Sequence, residues 1–343
     1  MKKTLFVLAG TALALSAQAG QSCVDVRLSA ASPVVRGDSD VTVNVAVTNT
    51  CRHPVQVLNW QLPSDDIEES LFRIEVNGTR PLYLGAHYKR VMPRAVDHRK
   101  LAAGESLNFS VELTGLYDMS QNGLYTIRYD AHGHSGSSAE ALHSQPIYLK
   151  LEERTAQLSA TKAPSDPAPS AASTSFTGRC SSTQQSQLGS ARTAATNYAV
   201  QSTSYLSTLS SGTPRYVTWF GTYSSAGRAT ALDHFTKTRD AFQNAAITFD
   251  CSCKKSGTYA YVYPTQPYKI YLCGAFWNAG MTGTDSKAGT LIHEMLHFNV
   301  IAGTDDWAYG QSAAKSLAQS DPAKALDNSD NHEYFAENTP AQN

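Results

Sequence analysis

The sequence predicts two domains: an N-terminal all-β immunoglobulin-like sandwich and a C-terminal α+β unit, mainly helical with a small β-sheet. Three observations predict this. Apolar residues alternate with polar ones in the first part, a Pro-bearing Ala/Ser/Thr stretch divides the chain, and apolar residues recur at helical spacing in the second part. A length of 343 residues suits two domains. Hydrophobic residues make up 41% and charged residues 17%, enough for real cores and too little charge for a disordered chain. The formal net charge of −1 gives no reason to expect nucleic acid or an anionic membrane as partner.

Taken in order, residues 1–19 read as a secretory signal. Lys2 and Lys3 precede an apolar run from Leu5 to Leu15, and Ala17-Gln18-Ala19 supplies small residues for cleavage. Residues 20–154 carry the β pattern: Val41, Val43, Val45 and Val47 alternate with polar residues, as do Leu107, Phe109, Val111 and Leu113. Further strands are expected at Tyr125–Tyr129 and Ile147–Leu151. From 155 to 177 the composition shifts to Ala, Ser, Thr and Pro, which cannot bury enough apolar surface to order itself; this is a cleavable linker. The second unit, 178–343, is helix-compatible over Gln184–Leu209 and Ala226–Ala246. Tyr259, Tyr261 and Tyr263 then alternate as a strand that could pair with a substrate backbone or serve as an aromatic edge.

Export makes the six cysteines disulfide formers. Two lie early, Cys23 and Cys51, and four lie late, so each unit can close its own bridges. Adjacent alternating positions keep Cys251 and Cys253 from pairing together. Two late connectivities remain: Cys180–Cys251 with Cys253–Cys273, or Cys180–Cys253 with Cys251–Cys273.

The residues that carry chemistry are Thr290-Leu291-Ile292-His293-Glu294-Met295-Leu296-His297-Phe298. On a helix His293 and His297 emerge on one face within reach of one ion, and Glu294 can touch a water there without being a ligand. A catalytic zinc needs a third protein ligand and an open fourth position. Gly303 is placed to stop the helix and turn the chain back. Spacing does not choose between Asp305, Asp306 and Glu333 as the third ligand.

With its continuation Gly303-Thr304-Asp305-Asp306-Trp307-Ala308-Tyr309-Gly310, the motif resembles the deuterolysin group of metalloendopeptidases, the aspzincins. The resemblance runs from about Cys180 to the C-terminus and implies a zincin-like domain with one Zn²⁺ per chain. It implies Asp306 as third ligand, Tyr309 as the tyrosine near the reacting carbonyl, and the pairing Cys180–Cys251 with Cys253–Cys273. The closing stretch Asp330-Asn331-His332-Glu333-Tyr334-Phe335-Ala336-Glu337-Asn338 is similar to the peptidyl-Lys metalloendopeptidases. By chemistry alone Asp330 and Glu333 are a solvated acidic face; the resemblance implies that both line the pocket for a lysine after the scissile bond.

The roles follow. Glu294 is the general base, and Tyr309 a donor to the developing oxyanion. Thr304 orients Asp306 or is simply a turn residue. The expected protein is a secreted, monomeric zinc endopeptidase acting on polypeptides, on the amino side of Lys. Its own β unit serves as an intramolecular inhibitor, with a basic residue from Lys89–Lys100 entering the acidic pocket. Lys162 in the linker is a conceivable self-cleavage point. A broad-specificity neutral protease of the same group would lack the lysine preference. A secreted binding protein with a structural zinc would have no need of Glu294.

Overall fold

Alternation of Val43, Val45 and Val47 with polar neighbours puts three valines on one face of a strand, and that face is buried. The computed structural model describes residues 22–64, 67–131, 139–155 and 173–343. The expected signal segment and the centre of the expected linker, with Lys162, lie outside the described residues. The first half forms β1 (Val24–Ser29), β2 (Val34–Arg36), β3 (Thr42–Asn49), β4 (Val55–Leu58), β5 (Phe72–Val76) and β6 (His87–Arg90). It continues with β7 (His98–Leu101), β8 (Ser106–Glu112), β9 (Gly123–Ala131), β10 (Leu142–His143) and β11 (Ile147–Glu152). The second half forms β12 (Thr174–Thr177), α1 (Ser182–Thr208), α2 (Pro214–Phe220), α3 (Ser225–Asn244), β13 (Ile247–Asp250), β14 (Thr258–Val262) and β15 (Lys269–Leu272). Five helices close it: α4 (Gly274–Asn278), α5 (Lys287–His297), α6 (Gln311–Ser320), α7 (Pro322–Leu326) and α8 (Ser329–Glu337).

In the first half β1–β3–β8 make one sheet, and β10–β9–β11–β2 with β5 on β9 make another. Both direct side chains into one core that includes Val26, Val45, Ile74, Ile127 and Leu149. The Cys23–Cys51 disulfide ties the start of β1 to the end of β3. A separate core fills the second half, where Ala191, Ala195 and Ala199 form a small-residue stripe on α1, with Phe235 and Phe242 of α3 in the same cluster. Its disulfides are Cys180–Cys251 and Cys253–Cys273. No described helix is long and apolar enough to cross a membrane.

Two boundaries differ from the sequence expectation. Thr174–Thr177 falls within the expected linker, yet it is β12, paired in parallel with β13; the second unit therefore begins before residue 178. Alternation over four residues is too short a signal to stand out against a Ser/Thr-rich background. The second-half sheet, in the order β12–β13–β15–β14–β6, is also not self-contained: its last strand comes from the first half. β6 runs antiparallel to β14, with His87 opposite Val262, Tyr88 opposite Tyr261 and Lys89 opposite Ala260. Without β6, the outer backbone groups of β14 would form an unpaired edge.

Candidate active site

Helix α5 is buried along its whole length: Ala288, Leu291, Ile292, Met295 and Leu296 form an apolar stripe, and Thr290, His293, Glu294 and His297 are buried on its other faces. Ser286 caps it, accepting from the Gly289 amide at 2.9 Å. Glu337, at the end of α8, reinforces that end: its carboxylate accepts from the Ser286 amide (2.9 Å), the Ser286 hydroxyl (2.7 Å) and the Asp285 amide (3.1 Å). Glycine at position 289 leaves room for this approach, because a Cβ there would lie 2.0 Å from Glu337 Oε1 and the carboxylate would have to shift. The helix ends at His297, earlier than a stop at Gly303 would give. Gly303, at φ 61°, instead reverses the chain after an intervening turn. That reversal returns Asp306 to the histidines.

Three side chains converge. His293 Nε2 and His297 Nε2 are 3.1 Å apart, and Asp306 lies 3.3 Å from the first and 3.4 Å from the second. Donors bonded to a tetrahedral zinc at about 2.0–2.1 Å sit about 3.3 Å from one another, so this triad fits a zinc ion. The ring orientations agree. His297 Nδ1 donates to the Thr304 carbonyl at 2.7 Å, and His293 Nδ1 lies 2.9 Å from Asp330 Oδ1, which turns both Nε2 lone pairs inward. Thr304 thus orients His297 through its backbone, while its hydroxyl pairs with Ser329 at 2.7 Å. Neither carboxylate oxygen of Asp306 nor of Glu294 has a hydrogen-bond partner among the described residues, although Glu294 is fully buried and the Asp306 side chain is only 3% exposed. Orphaned buried carboxylates are costly unless a cation or reactant meets them.

The electrostatics agree. Burial pushes Glu294 up to about 8. It also drives His297 down to about 3, favouring the neutral, ligating form. Burial opposes ionisation of Asp306, but the His297 and His293 rings prevail and hold its carboxyl well below the usual range.

Asp330 and Glu333 are both buried on α8, far from the solvated face that chemistry alone suggests. Lys89 of β6 enters between them: its Nζ is 2.7 Å from Glu333 Oε2, 3.3 Å from Asp285 Oδ1 and 3.4 Å from Asp330 Oδ1. It also lies 5.3 Å from the Tyr259 ring centre and 5.7 Å from that of Tyr334, within cation–π range. Burial works against the Lys89 charge, yet Asp330 and Glu333 raise its pKa well above the ordinary value. Burial likewise opposes ionisation of Asp330, but the Lys89 charge and the His293 ring bring it down to about 2.

Tyr309 is buried, and its hydroxyl donates to Glu69 of the first half at 3.5 Å. Arg90 fixes that neighbourhood, reaching Glu68 at 2.8 Å and Glu69 at 3.4 Å. A cavity of about 250 Å³ between the halves is lined by Glu69, Tyr83, His87, His297, Asp306 and Tyr309. Sequence reasoning did not pick out Asp285, Glu337, Glu69 or His87. Asp285 is a single acid with no motif of its own, Glu337 stands in the closing stretch without an assigned role, and a lone histidine reads as structural.

The family model and the curated relatives point to one group. Residues 205–337 match the family described as lysine-specific metallo-endopeptidase. An extracellular protease of Aeromonas hydrophila is 45% identical over 93% of this chain and 93% of its own length. A peptidyl-Lys metalloendopeptidase of Grifola frondosa is 37% identical over 98% of both chains. A solved zinc peptidase from Grifola frondosa is 55% identical and superposes with a TM-score of 0.46, covering 48% of this chain and 100% of its own.

Proposed function

This chain belongs to the aspzincin family of zinc metalloendopeptidases, and on that premise we propose that it is a secreted, latent enzyme cutting polypeptides on the amino side of lysine. The observation that carries the reading is the Lys89 ammonium, held by Asp285, Asp330 and Glu333 in a pocket built wholly from the second half. A substrate lysine would take the same place. A neutral side chain would leave buried carboxylates unpaired, so selection works through a penalty on wrong residues. Asp330 also contacts His293, which sets the pocket beside the triad.

His293, His297 and Asp306 would hold one zinc ion. When bound, zinc supplies a Lewis acid that polarises the scissile carbonyl and makes water acidic. Glu294 takes the proton of the attacking water and passes it to the leaving amine. Tyr309, released from Glu69, donates to the oxyanion. The edge of β14 aligns the substrate backbone, as it does that of β6.

Latency follows from the same contacts. Residues 20–154, read as an immunoglobulin-like propeptide, present β6 as a strand that fills the cleft and Lys89 as a lysine that fills the pocket. Cleavage in the linker before β12 would free both. The name of the Aeromonas hydrophila relative supports export, and the signal read at residues 1–19 would direct it. The monomeric state belongs to this reading too, since the inhibitor is supplied by the chain itself.

The test is to digest a denatured protein with the linker-cleaved enzyme and sequence the new N-termini. Lysine is expected as the first residue. Random first residues would refute the preference and leave the broad-specificity reading. Peptide hydrolysis by the uncut chain at the rate of the cleaved one would refute latency.

A further inference from the structure

We infer that His87 is a fourth protein ligand to the metal in the uncut chain, so that the first half latches the site through the ion as well as through the lysine pocket. This rests on the latency reading above and names a second device within it. Positions 87 and 89 lie on the same face of β6, because side chains alternate along a strand. Lys89 anchored among the acids therefore carries His87 over the triad.

His87 is buried, and its ring stacks on His297 with centroids 4.4 Å apart and planes 9° apart. Its Nδ1 lies 3.9 Å from Asp306 Oδ2 and 3.8 Å from Asp305 Oδ1. One donor atom each from His87, His297 and Asp306 lies within 4.8 Å of the other two. Nδ1 has no hydrogen-bond partner among the described residues, which is costly for a buried ring nitrogen. The stacked ring places His87 Nδ1 beside two of the three triad members, and a turn of the ring that closes 3.9 Å to the ligand spacing of about 3.3 Å would bring its lone pair onto the ion.

The consequence is a change of site class. Three protein ligands leave one corner for water, as catalysis requires; a fourth, the third imidazole, closes the shell and makes it structural. A thiol latch is not available, because all six cysteines are in disulfides.

The experiment counts imidazoles by zinc K-edge X-ray absorption on the full chain carrying Glu294→Gln, its intact mass verified beforehand. Three imidazoles are expected. Adding His87→Gln should leave two, with metal transfer to a chelator at least about tenfold faster. Two imidazoles in the uncut chain with His87 intact would overturn the inference without recourse to the variant, so a misfolded variant does not protect it. Peptide hydrolysis by the chain with Glu294 intact, measured before linker cleavage, separates the two claims. Three imidazoles in an active uncut chain would sink latency and spare the ligand. Two in a silent one would sink the ligand and leave latency to Lys89.

Discussion

Glu294 and the triad beside it ask different things of the same few ångströms. Both oxygens of Glu294 lack partners in a fully buried setting, and burial raises its affinity for a proton. That suits a group that must take a proton and give it up again. His297 instead has its outer nitrogen hydrogen-bonded to the Thr304 carbonyl, and His293 Nδ1 lies 2.9 Å from the Asp330 carboxylate, so the two inner nitrogens face each other. Glu294→Gln in the linker-cleaved enzyme is therefore expected to keep stoichiometric zinc while kcat falls by about 10²–10⁴-fold. Metal analysis beside single-turnover kinetics checks this. Loss of zinc in the Gln variant would mean that Glu294 is a ligand.

At the level of the element, α5 is held in place as much by α8 as by its own sequence. Glu337 covers the α5 N-terminus, and Asp330 reaches His293 from the same helix. Carboxylate and exposed amides are complementary there, since a helix N-terminus carries partial positive charge. Gly289 is what allows the approach. Gly289→Ala should lower stability by about 1–3 kcal/mol or more by forcing Glu337 away, where the same exchange in an exposed helix would stabilise. Chemical denaturation of the full chain checks the sign, and an increase in stability would show that Glu337 does not need to be so close. β14 depends on a neighbour in a similar way. Its Tyr261 stacks on Tyr88 at 4.6 Å on one side and on Tyr271 at 4.4 Å on the other, so removing β6 exposes an aromatic strand edge suited to an extended peptide.

Across the whole molecule, two cores are joined by one shared sheet and one buried cluster of charge. Lys89→Ala would strand three acids about the pocket, and breaking one partner of a buried pair costs about 3–5 kcal/mol. The variant is expected to unfold at lower denaturant and to have its linker cut faster than the parent, read by midpoint and by mass against time. Lys89→Arg keeps the charge and should restore part of the stability. An unchanged midpoint in the Ala variant would mean that the pocket stays hydrated when empty.

What the sequence determined by itself was local chemistry and its periodicity. His293-Glu294-x-x-His297 on an apolar helix, Asp306 and Tyr309 after a glycine turn, and valine alternation in the first half are short-range patterns written in neighbouring residues. The even division of cysteines marked two units for the same reason. Tertiary structure alone decided which distant groups meet. Lys89 reaches Asp330 across most of the chain, Asp285 joins them, Glu337 supports Gly289, and His87 stacks on His297. A lone lysine or histidine on a short strand has no pattern of its own. Its meaning comes from a strand pairing that unpaired backbone and buried charge make favourable only once both halves have folded.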